Sequence, residues 1–203
     1  MTIAVSVIAA YLIGSIPFSF IFSRLRRGVD PRHHGTKNVG ATNTLIIAGK
    51  LAALLAVLGD IAKGIAAIMI ARYLGLNDWG MALTALTVIV GHDFPLFLGF
   101  KGGKGVATTA GVLFGLDWIF GGLITLLWVL CMLLVRYFIP GSVLAFLLVP
   151  LVMWLGSWRS PFIIFALANA VLAIFVHRKD LERFFSGKEA TIQEAVAKYL
   201  KKS

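Results

Sequence analysis

The sequence predicts an all-α polytopic membrane protein with seven transmembrane helices, the N-terminus outside and the C-terminus cytoplasmic. Three observations predict it. First, 59% of the 203 residues are hydrophobic, only 14% are charged, and mean hydropathy is +0.91. A soluble domain averages about 45–50% apolar and about 25% charged residues, so this chain could not cover its apolar surface in water. Second, apolar runs recur at the roughly 20-residue length that spans a bilayer core about 30 Å thick. Third, sixteen of the nineteen Lys and Arg fall between alternate runs, on one side. That asymmetry follows the positive-inside rule and accounts for the net charge of +10 without nucleic acid. These features exclude a soluble domain, a disordered chain and a nucleic-acid-binding module.

Each element follows in order. Thr2–Ser23 is uncharged and long enough to span. It is too long for the apolar core of a cleavable signal and lacks a basic leader. Leu51–Ala71 qualifies while holding Asp60 and Lys63, and Trp79–Phe100 qualifies with His92 and Asp93 near its far end. Val106–Leu116 is short and ends at Asp117. Trp118–Val135, Pro140–Trp158 and Ser160–Val176 are uncharged. The cation count keeps Val106–Leu116 as a crossing, because a re-entrant hairpin there would put the seven-cation tail outside. Thr191–Lys202 carries a capping-box pair, Thr191 and Glu194, and an apolar face of Ile192, Val196, Tyr199 and Leu200. It reads as a short amphipathic tail, residues 190–203, on the anionic inner leaflet. No repeat or linker interrupts residues 1–203, which are expected to form a single domain.

This topology gathers the polar, Gly-rich and basic segments on the cytoplasmic side. The strongest is Gly99-Phe-Lys-Gly-Gly-Lys-Gly-Val-Ala-Thr-Thr-Ala-Gly111. Glycines at Gly102, Gly103 and Gly105 let backbone N–H groups form a concave nest, and a helix N-terminus follows. Lys101 and Lys104 add point charges, so the segment is an anion site suited to phosphate. It is not a Walker A loop, because Leu98 and Gly105 stand where that pattern needs Gly and Ser or Thr. The second segment, Gly35-Thr-Lys-Asn-Val-Gly-Ala-Thr-Asn43, offers hydroxyls and amides to a polar ligand. Asn43 can alternatively cap the next helix.

Four further groups are candidates. His177 follows the last span, where it can act as acid, base or phosphate donor. Ser142 follows Pro140-Gly141, where it can cap helix 6 or hydrogen-bond a phosphate. His92 and Asp93 are expected to face the bundle as a hydrogen-bonded pair. Asp60 and Lys63 share a helix face at i, i+3 and are expected to pair inside the membrane. Four scattered His and one Cys give no zinc spacing. No Gly-x-Ser-x-Gly elbow occurs. The His-x4-Asp of many glycerolipid acyltransferases is also absent.

Taken together, several motifs resemble the bacterial acyl-phosphate:glycerol-3-phosphate acyltransferases, the PlsY family. They are Gly14-Ser15-Ile-Pro17, Asn38-Val-Gly40-Ala41-Thr42-Asn43, Asp60-x-x-Lys63-Gly64, Gly91-His92, the Gly99–Thr108 block and His177-Arg178…Gly187-x-Glu189. The resemblance implies transfer of an acyl group from acyl phosphate to the 1-hydroxyl of glycerol 3-phosphate, in a monomer among membrane lipids and without a cofactor or metal. It implies catalytic roles for Lys104, His177 and Ser142. It implies substrate binding by Thr36, Lys37, Asn38, Gly40, Thr42, Asn43, Lys101, Gly102, Gly103, Gly105, Thr108, Arg178, Asp180 and Glu189. Ser15, Asp60, Lys63 and His92 would support them. In this scheme the Gly102–Gly105 nest and Lys104 hold the leaving phosphate, while loop 1, Ser142 and His177 hold the acceptor.

The chain departs from the family pattern at Thr36, which keeps the hydroxyl of a Ser, and at four further positions. Lys37 stands for a Gly, Ile46 for an Arg, Val176 for an Arg and Asp180 for an Asn. Asp180 would repel a nearby phosphate unless Arg178 or Lys37 offsets it. Two rival readings follow. One is a paralogue acylating another phosphorylated alcohol. The other is a phosphate- or lipid-binding protein or anion transporter, which the one-sided polarity and lack of a repeat disfavour.

Overall fold

A computed structural model describes residues 2–194 of the chain. Every regular element among them is helical. The chain divides into two compact units, Met1–Gly121 and Gly122–Ser203. The first holds α1 (Thr2–Gly14), α2 (Phe18–Arg27), α3 (Ala41–Ala48), α4 (Lys50–Tyr73), α5 (Asp78–Asp93), a 3-10 turn at Leu96–Leu98 and α6 (Val106–Leu116). The unit boundary falls within α7 (Trp118–Val135), and the second unit continues with α8 (Phe138–Leu155) and α9 (Ser160–Phe185). Six described segments are long and apolar enough to cross a membrane: Thr2–Arg27, Lys50–Tyr73, Asp78–Leu98, Trp118–Val135, Phe138–Leu155 and Ser160–Phe185. α6 forms at its expected residues, but its 11 residues extend only about 16 Å.

Three expectations change. The first span is not one helix. Pro17 lacks an N–H and disfavours helical geometry at Ile16, so α1 stops at Gly14 and α2 starts at Phe18. Next, the loop after α2 contains a helix of its own, α3, and Gly49 at φ +90° turns it into α4. Last, α9 runs nine residues past Val176, so His177-Arg178-Lys179-Asp180 lies inside a helix rather than after one. The capping box forms as expected: Thr191 N donates to Glu194 Oε2 at 2.8 Å and Glu194 N to Thr191 Oγ1 at 3.2 Å. The rest of the expected amphipathic tail lies outside the described residues.

Small residues bring helices of the first unit together. A Cβ on Gly14 would meet Val88 O at 2.3 Å, and one on Gly91 would meet Tyr11 O at 2.5 Å, so α1 and α5 cross backbone to backbone. Gly64 and Gly111 do the same for α4 and α6, with hypothetical contacts of 2.5 Å and 2.1 Å. Such crossings are characteristic of membrane bundles, where close backbone packing substitutes for the hydrophobic effect.

Candidate active site

Loop 1 is built around Asn43, whose side chain is fully buried. Its Oδ1 accepts the Thr36 N–H at 2.8 Å. Its Nδ2 donates towards the carbonyls of Asn38, Pro31 and His34 at 2.8, 2.9 and 3.0 Å. The expected substrate contact is therefore corrected: the amide faces its own loop and organises it. The capping alternative also falls, because Gly40 occupies the N-cap of α3. The fold then leaves the side chains of Thr36, Lys37 and Thr42 exposed, with Asn38 and Gly40 half-buried. Lys37 sits at φ +63°, a left-handed conformation that costs an L residue about 1 kcal/mol or more.

A clamp precedes this loop. Arg32 Nη2 lies 2.7 Å and Nε 3.1 Å from the Asp30 carboxylate. That hydrogen bonding outweighs burial and holds the Asp30 carboxyl down at about 2. Arg32 Nη1 also donates to Leu98 O at 3.3 Å, which ties loop 1 to the turn before the glycine segment.

The glycine segment folds back on the end of α5. Gly102 N donates to Asp93 O at 3.2 Å and Gly103 N to His92 O at 3.1 Å. This corrects the expected nest, since two of its N–H groups point inward and are already satisfied. Glycine is required here for another reason. A Cβ on Gly102 would lie 2.2 Å from His92 O, and one on Gly103 would lie 2.1 Å from His92 Nε2. Gly105 caps α6 at φ +70°. What remains for an anion is the N-terminus of α6, whose first N–H groups have no acceptor within the helix. Half-buried Lys104 and exposed Lys101 stand beside it. Thr108 is fully buried within the first turn, so its side chain does not face out as expected.

Beneath the segment lies a buried charged cluster. Lys63 Nζ donates to Gly14 O at 2.9 Å, to Ile16 O at 3.1 Å and to His92 Nδ1 at 2.9 Å. Asp60 Oδ1 lies 2.8 Å from the same ammonium and 3.4 Å from His92 Nδ1. The Asp60–Lys63 pair is thus as expected, whereas His92 turns to Lys63 rather than to Asp93. Ser15, also expected to support the site, accepts the Leu96 N–H at 3.2 Å. A small cavity lined by Pro17, Ser19, Val39, His92, Gly102 and Gly103 shows that loop 1, the helix break and the glycine segment converge.

The second unit carries the remaining candidates. Ser142 is buried inside α8, where its Oγ donates to Phe138 O at 2.7 Å and accepts from Trp128 Nε1 at 2.9 Å. It therefore neither caps the helix nor presents its hydroxyl. His177 is fully buried. Its Nδ1 donates to Ala173 O at 2.8 Å, so the neutral ring carries its lone pair on Nε2. Arg178 folds over the Phe175 ring, 4.3 Å from its centre, and donates to Phe175 O. Arg183, which sequence reasoning missed, binds Asp180 and also Glu189 through Nε at 2.8 Å. Arg183 is thus an observed counter-charge to Asp180 that the sequence reading did not consider. The i, i+3 spacing of Asp180 and Arg183 was the available signal, hidden by ending the helix at Val176.

Fold and sequence together define a polytopic helical membrane protein whose glycine segment, with Lys101 and Lys104, leads into the N-terminus of α6. The glycerol-3-phosphate acyltransferase family profile matches residues 4–187, and the chain belongs to that family. It is 40% identical over 196 residues to the glycerol-3-phosphate acyltransferase of Nitrosomonas eutropha, covering 95% of this chain and 98% of that protein. It is 39% identical over 192 residues to that of a Synechococcus strain, covering 95% and 96%. A crystal structure of PlsY, an integral membrane glycerol 3-phosphate acyltransferase, in its glycerol 3-phosphate form matches with TM-score 0.88 at 34% identity over 95% of this chain and 96% of that one. The lysophosphatidic acid form matches with TM-score 0.87 at 32% identity, over 97% and 99%.

Proposed function

We propose that this chain acylates the 1-hydroxyl of glycerol 3-phosphate using acyl phosphate, the first acylation of phospholipid synthesis. The carrying observation is the convergence of loop 1 and the glycine segment that leads into α6, in a member of this family. The acceptor hydroxyl oxygen attacks the acyl carbonyl carbon. The acyl carbon–phosphate oxygen bond breaks, and phosphate leaves with the electron pair. The hydroxyl proton passes to the departing phosphate, giving lysophosphatidic acid and inorganic phosphate.

A mixed anhydride has a good leaving group, so positioning and charge stabilisation carry most of the catalysis. Lys104 and the first turn of α6 neutralise the leaving phosphate. Exposed Thr36, Lys37 and Thr42 meet the acceptor. The reaction so drawn uses no cofactor. A single chain works in the bacterial cytoplasmic membrane, with α6 as a short seventh crossing, the N-terminus outside and the site facing the cytoplasm. The one-sided distribution of Lys and Arg supports that orientation.

The test is phosphate release by the purified protein in lipid, given palmitoyl phosphate with and without glycerol 3-phosphate. Release that requires glycerol 3-phosphate and yields lysophosphatidic acid is expected. Release driven only by another phosphorylated alcohol replaces the acceptor. No release with any acceptor, beside an active relative, overturns the reaction.

A further inference from the structure

We propose that Lys63 and His92 are positioning residues that fix the glycine segment, and hence Lys104, against the break in the first membrane span. This rests on the acylation reaction proposed above. The argument starts at the break. Where the helix stops at Gly14, the carbonyls of Gly14 and Ile16 lose the donors a continuous helix would supply. Among apolar neighbours such groups need partners. Lys63 reaches across from α4, is 3% exposed, and donates one proton to each. An ammonium has three protons; Asp60 Oδ1 at 2.8 Å and His92 Nδ1 at 2.9 Å both face the third, and hydrogen-bond geometry is met at His92. That nitrogen therefore carries the lone pair, and Nε2 carries the proton. Asp60 balances the charge at 2.8 Å.

His92 passes this constraint on from two sides. Its ring lies so close to Gly103 that no Cβ fits between them. Its own carbonyl accepts the Gly103 N–H, while the next carbonyl, of Asp93, accepts that of Gly102. Lys104 follows directly, and α6 begins at Val106. Tyr11 Oη donates to Phe94 O at 2.9 Å and Ser15 accepts from Leu96 N, so the break grips the far side of the same turn. An apolar cluster could fill this volume at lower insertion cost, but it would not select one ring rotamer. Hydrogen bonds from a fixed ammonium do.

The test is a series at His92. In His92→Asn the amide oxygen can replace Nδ1 as acceptor for Lys63. In His92→Gln the amide falls nearer the Nε2 position. His92→Phe retains ring volume alone. Each variant is assayed for kcat, for KM with both substrates, for thermal stability, and for hydrogen exchange at Gly102 and Gly103. His92→Phe is expected to lower kcat about 100-fold with KM changed by less than about threefold, and to speed exchange at both glycines. His92→Asn is expected to restore most of the activity and the protection, and His92→Gln neither. Activity in His92→Gln but not in His92→Asn would overturn the proposal in favour of direct chemistry at Nε2. Unchanged exchange in His92→Phe would overturn it whatever the reaction is. If His92→Phe does not fold, the comparison of Asn with Gln decides alone. Loss of the wild-type reaction itself would instead condemn the acylation reading, while the exchange measurement still judges this one.

Discussion

Asn43 Oδ1 accepts the backbone N–H of Thr36 at 2.8 Å, seven residues back along the chain. The same amide turns its Nδ2 towards three carbonyls. Asn43→Asp would aim a carboxylate oxygen at those carbonyls in a buried pocket. The expected loss is about 3 kcal/mol, the scale for an unsatisfied buried group carrying charge. Thermal unfolding in detergent should show it as a lower midpoint. A residue that only contacted substrate would raise KM and leave the midpoint alone.

Lys37 combines a strained backbone at φ +63° with an exposed ammonium in loop 1. Two substitutions separate these properties. Lys37→Ala removes the charge and keeps the strain, whereas Lys37→Gly removes both. Lys37→Gly should be the more stable of the two by about 1 kcal/mol. Both should raise KM for glycerol 3-phosphate to a similar extent, because both lack the ammonium. Matched thermal and kinetic assays decide; a KM restored by glycine alone would assign Lys37 a backbone role.

The Asp30–Arg32 clamp sets a pH window. The folded Asp30 pKa, about 2, lies below its ordinary value of 3.8. A depressed carboxylate pKa contributes stability that is fully present above the ordinary value and is lost as pH falls through the folded one. The difference in unfolding midpoint between wild type and Asp30→Asn should therefore be constant from pH 5 to pH 8. It should shrink only below about pH 4. A difference already varying between pH 5 and pH 7 would mean that another group controls loop 1.

Lys104 and His177 carry the catalytic expectation. Lys104→Ala should lower kcat about 100-fold, the usual effect of losing one preorganised charge-stabilising donor. His177→Ala should lower kcat/KM by a similar order, about 100-fold, the scale for losing a group that positions the acceptor. Near-wild-type phosphate release from both variants would remove these residues from the reaction.

The parts of this structure legible in the sequence were those governed by one helix or one run of residues. Span lengths follow from apolar runs. The Asp60–Lys63 pair follows from i, i+3 geometry, and the glycine segment announces a turn before a helix. Contacts between segments were less legible. Adjacent residues on a helix point about 100° apart, so no spacing marked His92 and Asp93 as partners of each other, and Lys63, which His92 meets, lay on a different helix. Asn43 and Ser142 looked like ligand groups because their acceptors are backbone carbonyls, which no residue pattern marks. Pro17 did mark the broken helix, but proline is tolerated in membrane helices, and the lysine that makes this break affordable sits 46 positions away.

The two glycines before Lys104 should not respond alike to alanine. On Gly102 a Cβ would meet His92 O at 2.2 Å, Pro95 Cδ at 2.3 Å and Asp93 O at 2.7 Å. Two of these obstacles are backbone at the end of α5, so the chain itself must move, breaking the Gly102–Asp93 and Gly103–His92 hydrogen bonds. On Gly103 the obstacles are all atoms of the His92 ring, the nearest 2.1 Å away. A ring can rotate, but this one would then leave Lys63. Gly102→Ala should therefore lower both the unfolding midpoint and the activity. Gly103→Ala should lower activity with the smaller change in midpoint. In the double variant Gly103→Ala with His92→Ala the clash is gone but so is the acceptor for Lys63, so activity should stay low while the remaining stability loss shrinks. Full recovery of activity in that double variant would show that steric exclusion, and not the hydrogen bond to Lys63, is what His92 contributes.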